Sequence, residues 1–311
     1  MVNALGWLAS AALGVALLLS AGWAKAQPEM GHKTLGTIGL DAGVQHDPGF
    51  YVADEFFYYR ANKVIDRDGQ SIPIGLDLDV FADSFGATAI FRLPVPSLYF
   101  SASVGMPIAS VSVNTDRPEA SIDLFGLADL YFQPVRLGWR AGPLDVVAGY
   151  ALYMPTSKFE PGGRDGVSRG HFTHEVSLGT TIYFDPGRTW QLSALASYEL
   201  NHKKQGVDVT RGNTIQIQGG AGKRLGPVQV GLAAYALWQV TDDHGTEVPA
   251  PLLGATDQAF GLGPEINITL APIRSILTLR YEHDITVRSR TLGQIFLMGL
   301  AFGVYRPPAP Q

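Results

Sequence analysis

The sequence predicts an all-β protein, a transmembrane antiparallel β-barrel of about twelve strands. Three observations lead there. Segments of roughly ten residues alternate apolar and polar side chains, short Pro/Gly turns alternate with longer polar loops, and no apolar run after Ala26 is long enough for a membrane helix. Successive side chains of a strand face opposite sides, and a barrel wall has lipid on one side and a polar interior on the other.

The chain opens on an apolar stretch, Ala4 to Trp23, followed by Ala24-Lys25-Ala26, the small-x-small pattern of a signal-peptidase site. The expected organisation is a signal peptide over 1–26, an outer-membrane barrel over 27–305 and a C-terminal tail over 306–311. The region before Ala4 carries no Lys or Arg, and an uncleaved membrane anchor is the competing reading of this stretch.

Strands are expected near 50–62, 75–91, 98–113, 121–138, 143–154 and 172–184. The clearest alternation comes later. In 190–201, Leu192, Ala194, Ala196, Tyr198 and Leu200 oppose Gln191, Ser193, Ser197, Glu199 and Asn201, with Leu195 as the exception. A strand near 212–224 follows. In 228–240, Val228, Val230, Leu232, Ala234, Ala236, Trp238 and Val240 share one face. In 260–270, Phe260, Leu262, Ile266 and Ile268 oppose Glu265, Asn267 and Thr269.

The segment 277–287 places Leu277, Leu279, Tyr281, Ile285 and Val287 toward lipid, and Thr278, Arg280, Glu282, Asp284 and Thr286 toward the lumen. His283 falls on the apolar side. The last strand, near 291–305, sets Phe296, Met298, Leu300, Phe302 and Val304 against Gly299, Ala301 and Gly303.

The connections sort into two classes. Leu93-Pro94-Val95-Pro96, Ala141-Gly142-Pro143, Asp185-Pro186-Gly187-Arg188, Leu225-Gly226-Pro227 and Ala271-Pro272 are tight turns. Between them lie 62–75, 155–170, 202–212 and 241–258, with shorter links at 114–120 and 288–290. Short periplasmic turns and longer extracellular loops in succession are the outer-membrane pattern. A soluble β-sandwich also has alternating strands, but does not predict this succession.

Composition narrows the partners. Charged residues make up 16% of the chain, the formal charge is −5 and there is no cysteine. No basic face with interleaved aromatics appears, so nucleic acid is not an expected partner. Absence of cysteine removes disulfides and thiolate metal sites.

Several stretches resemble the meta-pathway phenol-degradation transporter family of bacterial outer-membrane proteins. They are Pro48-Gly49-Phe50-Tyr51 leading to Tyr58-Tyr59-Arg60-Ala61, then Asp68-Gly69, the run from Phe125 to Pro134, and Leu137-Gly138-Trp139. Gly149-Tyr150 before Pro155-Thr156, and Tyr198-Glu199-Leu200-Asn201, are also similar. The resemblance implies passage of small hydrophobic or aromatic molecules and carries over no catalytic residues.

Chemical constellations are sparse. His171, His174 and Glu175 could suggest a metal, but on a strand His174 points away from the other two. Gly219 to Arg224 lacks the Ser/Thr and helix of a phosphate loop and reads as close packing or room in the lumen. Asp66-Arg67-Asp68-Gly69 reads as a turn rather than a calcium loop. A barrel lipase would need a Ser/His pair in its own motifs, and no Gly-x-Ser-x-Gly elbow is present.

The candidate lumen-lining residues are Glu175, Glu199, Glu265, Arg280, Glu282 and Asp284. They could bias what passes through a channel, or form a salt-bridged network filling a closed interior. The expected function is an outer-membrane channel passively conducting small hydrophobic or aromatic molecules, without cofactor or catalysis. Its partners are outer-membrane lipid and the solute. The alternative is a closed structural or surface-interaction barrel.

Overall fold

The computed structural model describes residues 31–157, 159, 167–248 and 253–307. The expected leader, with its cut after Ala26, and the end of the tail at 308–311 lie outside the described residues.

The chain is built from β1 (Gly49–Ile65), β2 (Ser71–Ile72), β3 (Asp77–Arg92), β4 (Leu98–Asp116), β5 (Glu119–Leu127), β6 (Leu130–Ala141) and β7 (Leu144–Met154). It continues with β8 (Thr173–Tyr183), β9 (Trp190–Asn201), β10 (Thr214–Leu225), β11 (Val228–Gln239), β12 (Gln258–Leu270), β13 (Ser275–Arg288) and β14 (Arg290–Tyr305). Each pairs antiparallel with its neighbour, and β14 returns to pair with β1 from Tyr305 opposite Phe50 to Arg290 opposite Ile65. The sheet is therefore closed. β5 and β6 lie one above the other along β4, and β2 is a short extension on β1. Fourteen strands thus give twelve wall positions. Among the described residues no helix is long and apolar enough to cross a membrane; strands do the crossing.

The outer surface explains why this closure suits lipid. Phe85, Val104, Leu178, Leu192, Leu232, Phe296 and Met298 are exposed, and each occupies the outward position of its strand. A closed barrel leaves no unpaired backbone edge in the hydrocarbon and offers a continuous apolar surface to it. Trp139, Trp190 and Phe184 ring the end with tight turns, where aromatic rings suit the headgroup layer.

Two sequence expectations need correction. The wall strand expected over 121–138 is interrupted at Ala128-Asp129, and its lower part bulges between Phe132 and Val135, where Pro134 has no N–H for the ladder. In β13, Phe260 faces Thr286 while Gly261 faces Asp284. Ile285 is the extra residue of that bulge, so the faces exchange beyond it. Val287 turns inward and is buried, and Thr286 is exposed.

The exception in β9 has a packing reason. Leu195 faces inward and joins Val147 and Ala42 in a small apolar cluster. A larger cluster fills the interior near the long loops, where Phe57, Tyr59, Tyr235 and Leu297 meet Ile74 and Leu76, folded in from the loop after β2. The Asp66 to Gly69 turn is capped locally: Asp66 Oδ1 accepts from the backbone N–H groups of Asp68 and Gln70.

Candidate functional site

The interior is organised by a segment for which the sequence analysis named no role. Residues 31–48 form no strand. Instead they run inside the barrel from the long-loop end, where His32 meets Asp129 and Thr173, to the tight-turn end, where Arg140 reaches Gln45 and Asp47. An irregular backbone out of water must find a partner for every N–H and C=O. The inward polar rows of β6 to β13 supply partners along its length.

At the long-loop end, the Lys33 ammonium lies 2.6 Å from Glu175, and its backbone N–H donates to Glu199 at 2.9 Å. Tyr153 donates to the other oxygen of Glu175, while Thr214 and Gln216 donate to Glu199. Half-way down, the Gln218 side-chain carbonyl accepts from Gly36 and Ile38 N–H. Arg280 Nε donates to Glu265 at 2.7 Å and its Nη1 to the Gly36 carbonyl at 2.6 Å; Glu265 also accepts from Leu40 N–H. Lower still, Gly43 N–H donates to Ser193, and Gln191 donates to the Leu40 carbonyl.

Leu40 is fully buried, in a socket that glycine makes. A Cβ on Gly220 would stand 2.9 Å from the Leu40 side chain, one on Gly222 3.1 Å and one on Gly231 2.7 Å. The glycine run in β10 thus makes room in the lumen, and its occupant is the protein's own chain.

All six charges named from the sequence face the interior and are at most 5% exposed. Glu175, Glu199, Glu265 and Arg280 bind the segment. Asp284 does not touch it: it accepts from Tyr235 and Tyr59 hydroxyls and from Gly293 N–H. Glu282 is fully buried beside Gly36 and Ile295, with neither carboxylate oxygen hydrogen-bonded. Of the histidine group, Glu175 and His171 are buried while His174 lies outside, against Tyr150 and His202.

The segment leans on one side of the barrel. On the other, across β14, β1, β3 and β4, small inward residues surround Glu55: Gly299, Ala301, Ala53, Ser84, Gly86 and Gly105 are adjacent to it or to one another in register. None of these six is buried. The two halves of the inner wall therefore differ, one densely hydrogen-bonded and the other lined by small, accessible residues around Glu55.

Missing from the sequence reading was residues 31–48 as the element that binds the interior charges. Its trace was available in the glycines at 31, 36, 39 and 43 and the absence of alternation there, the composition of a chain that bends rather than extends.

A family model described as "Putative MetA-pathway of phenol degradation" matches residues 61–297. The chain belongs to that family. No curated protein matches the sequence. Among solved structures, the COG4313 outer membrane channel from Pseudomonas putida F1 is similar at a TM-score of 0.74 and 10% identity, over 87% of this chain and 99% of that one. The β domain of the Bordetella autotransporter Brka matches at 0.46, with 14% identity over 83% of this chain and 100% of the other. The translocator domain of the autotransporter NalP from Neisseria meningitidis matches at 0.45, with 11% identity over 83% and 89%. This member of the family is an outer-membrane barrel, in keeping with its closed sheet and apolar outer belt.

Proposed function

We propose that the protein is a passive outer-membrane channel for small hydrophobic or aromatic molecules, with no catalytic step. The observation that carries this is the accessible inner wall of β14, β1, β3 and β4, which faces the enclosed segment without being filled by it. Small side chains on either side of Glu55 leave room for an apolar solute. The family's description, phenol degradation, supports an aromatic substrate class, and the barrel's likeness to a solved outer membrane channel supports the same fold in that role.

On this reading the interior charges act indirectly. Glu175, Glu199, Glu265 and Arg280 hold the segment in place, and thereby set the width of what remains. Ala53→Trp, which puts a large ring into the accessible wall, should abolish accelerated uptake of phenol and toluene into proteoliposomes, whereas Ser177→Ala on the opposite wall should not. Equal uptake by wild type and Ala53→Trp would overturn the route. The second reading, a closed structural barrel, draws on the apolar cluster that fills the long-loop end; it expects no uptake by any form.

A further inference from the structure

Two carboxyl groups stand where a barrel of this kind has no ordinary use for them. Asp54 on β1 and Asp83 on β3 both point outward: Asp54 pairs with Phe85 and Leu300, and Asp83 with Phe56 and Ile108, all on the lipid side. They are diagonal neighbours across the two strands, close enough for their carboxyls to hydrogen-bond to each other. Asp54 lies four residues from Tyr58, at the outer rim, and four from Phe50, at the other, so the pair sits near the middle of the apolar belt. One Asp54 oxygen is sealed from solvent with no hydrogen-bond partner.

Beside the pair the outer wall is hollow. A groove of about 480 Å³ runs from Asp54 over Val52, Ala87, Val104, Met106 and Phe302. It lies where the small side chain of Ala87 stands between Val52 and Val104 on the outward face. Apart from Asp54, its side chains are apolar.

We propose that this groove binds a membrane-dissolved apolar amine, with the alkyl part in the groove and the ammonium on the Asp54/Asp83 pair. Carboxyls in contact hold one negative charge when a proton is shared between them, and hydrocarbon offers no water to solvate it. A cation with its own apolar body supplies both the charge and the cover. A second copy of the chain does not: among the described residues, the outward rows between the rims contain no Lys or Arg. Arg60 lies at the outer rim against Asp77, and Lys223 at the other over Trp190. This site is on the outer surface and independent of the channel reading, so loss of solute uptake leaves it standing.

The test uses two photoreactive probes of equal chain length, a diazirine-bearing dodecylamine and the corresponding dodecanol, with the protein in lipid nanodiscs. We expect the amine to label peptides carrying Val104, Met106 and Phe302 at least tenfold more than the alcohol. Asp54→Asn/Asp83→Asn, which removes the charge at constant size, should bring amine labelling down to the alcohol level. Ala87→Trp, which keeps both carboxyls and fills the groove, should lower labelling by both probes. Equal labelling of wild type by amine and alcohol overturns the proposal, as does a preference that survives in the double Asn variant. A disulfide-linked dimer formed through Ala87→Cys in nanodiscs would also overturn it, by showing a second copy in the groove.

Discussion

Leu40 and Lys33 make contrasting demands on the wall around them. Leu40 needs space, and its socket of glycines makes its contribution one of shape; truncation to alanine should cost about 2–5 kcal/mol of local packing. Lys33 needs charge. Replacing it with methionine leaves Glu175 buried without its cation, a loss of about 3–5 kcal/mol. Both variants should release the segment rather than open the sheet. The expected result is limited proteolysis within residues 31–48, while the barrel keeps its heat-modifiable gel mobility. Alternation indicated which way Glu175 and Glu199 point, because a strand's neighbours decide that. What they touch was not legible: Lys33 lies 142 residues before Glu175, and no local rule connects them.

Among the elements, β13 is the most informative. Leu279 faces lipid between Ile266 and Met298, and Glu282 faces Ile295 inside. Leu279→Arg should lower folding yield into lipid vesicles severely, since a cation at mid-membrane costs about 2–4 kcal/mol. Glu282→Gln should not, because it removes an unpaired buried charge. The expected faces hold up to Ile285 and fail at Thr286 and Val287, since the bulge at Ile285 depends on how β12 is spaced opposite, which β13 alone does not encode.

The long loops are elements too. Asp208 binds Lys203 at 2.7 Å and accepts from the Thr246 hydroxyl and N–H, tying the loop after β9 to the one after β11. These donors hold its carboxyl well below the usual carboxylate range, the Lys203 bond first. A depressed pKa in the folded form means the tie is fully present above the ordinary carboxylate range and is lost only as pH falls through the lowered value. Protease resistance of the two loops should therefore be the same at pH 8 and pH 5 and disappear only in stronger acid. Asp208→Asn should reduce it at both.

At the scale of the molecule, the twelve wall positions and the succession of tight turns and long loops were legible, because both repeat around the barrel and each repeat supports the next. The contents of the barrel were not, since residues 31–48 have no period and take their shape from partners on eight strands, β6 to β13. The two ends can be told apart by experiment. An epitope placed between Thr241 and Val248 should be reached by antibody on intact cells, and one at Asp185-Pro186-Gly187 only after the outer membrane is permeabilised. Removing residues 31–47 should raise single-channel conductance in planar bilayers, as the polar half of the inner wall becomes lined by water.

The seam between β1 and β14 also bears on how such a molecule is assembled. The portion of chain made early, ahead of Gly49, ends up encircled by a ring whose last stave is the portion made at the end. This furnishing is continuous with the hoop at Gly49 and runs its whole height. The polar rows of the inner wall are the surface on which the early chain comes to lie. A mutation in those rows can consequently slow biogenesis without weakening the finished wall, a defect visible as delayed appearance of the mature form in a pulse-chase experiment rather than as a lower melting temperature.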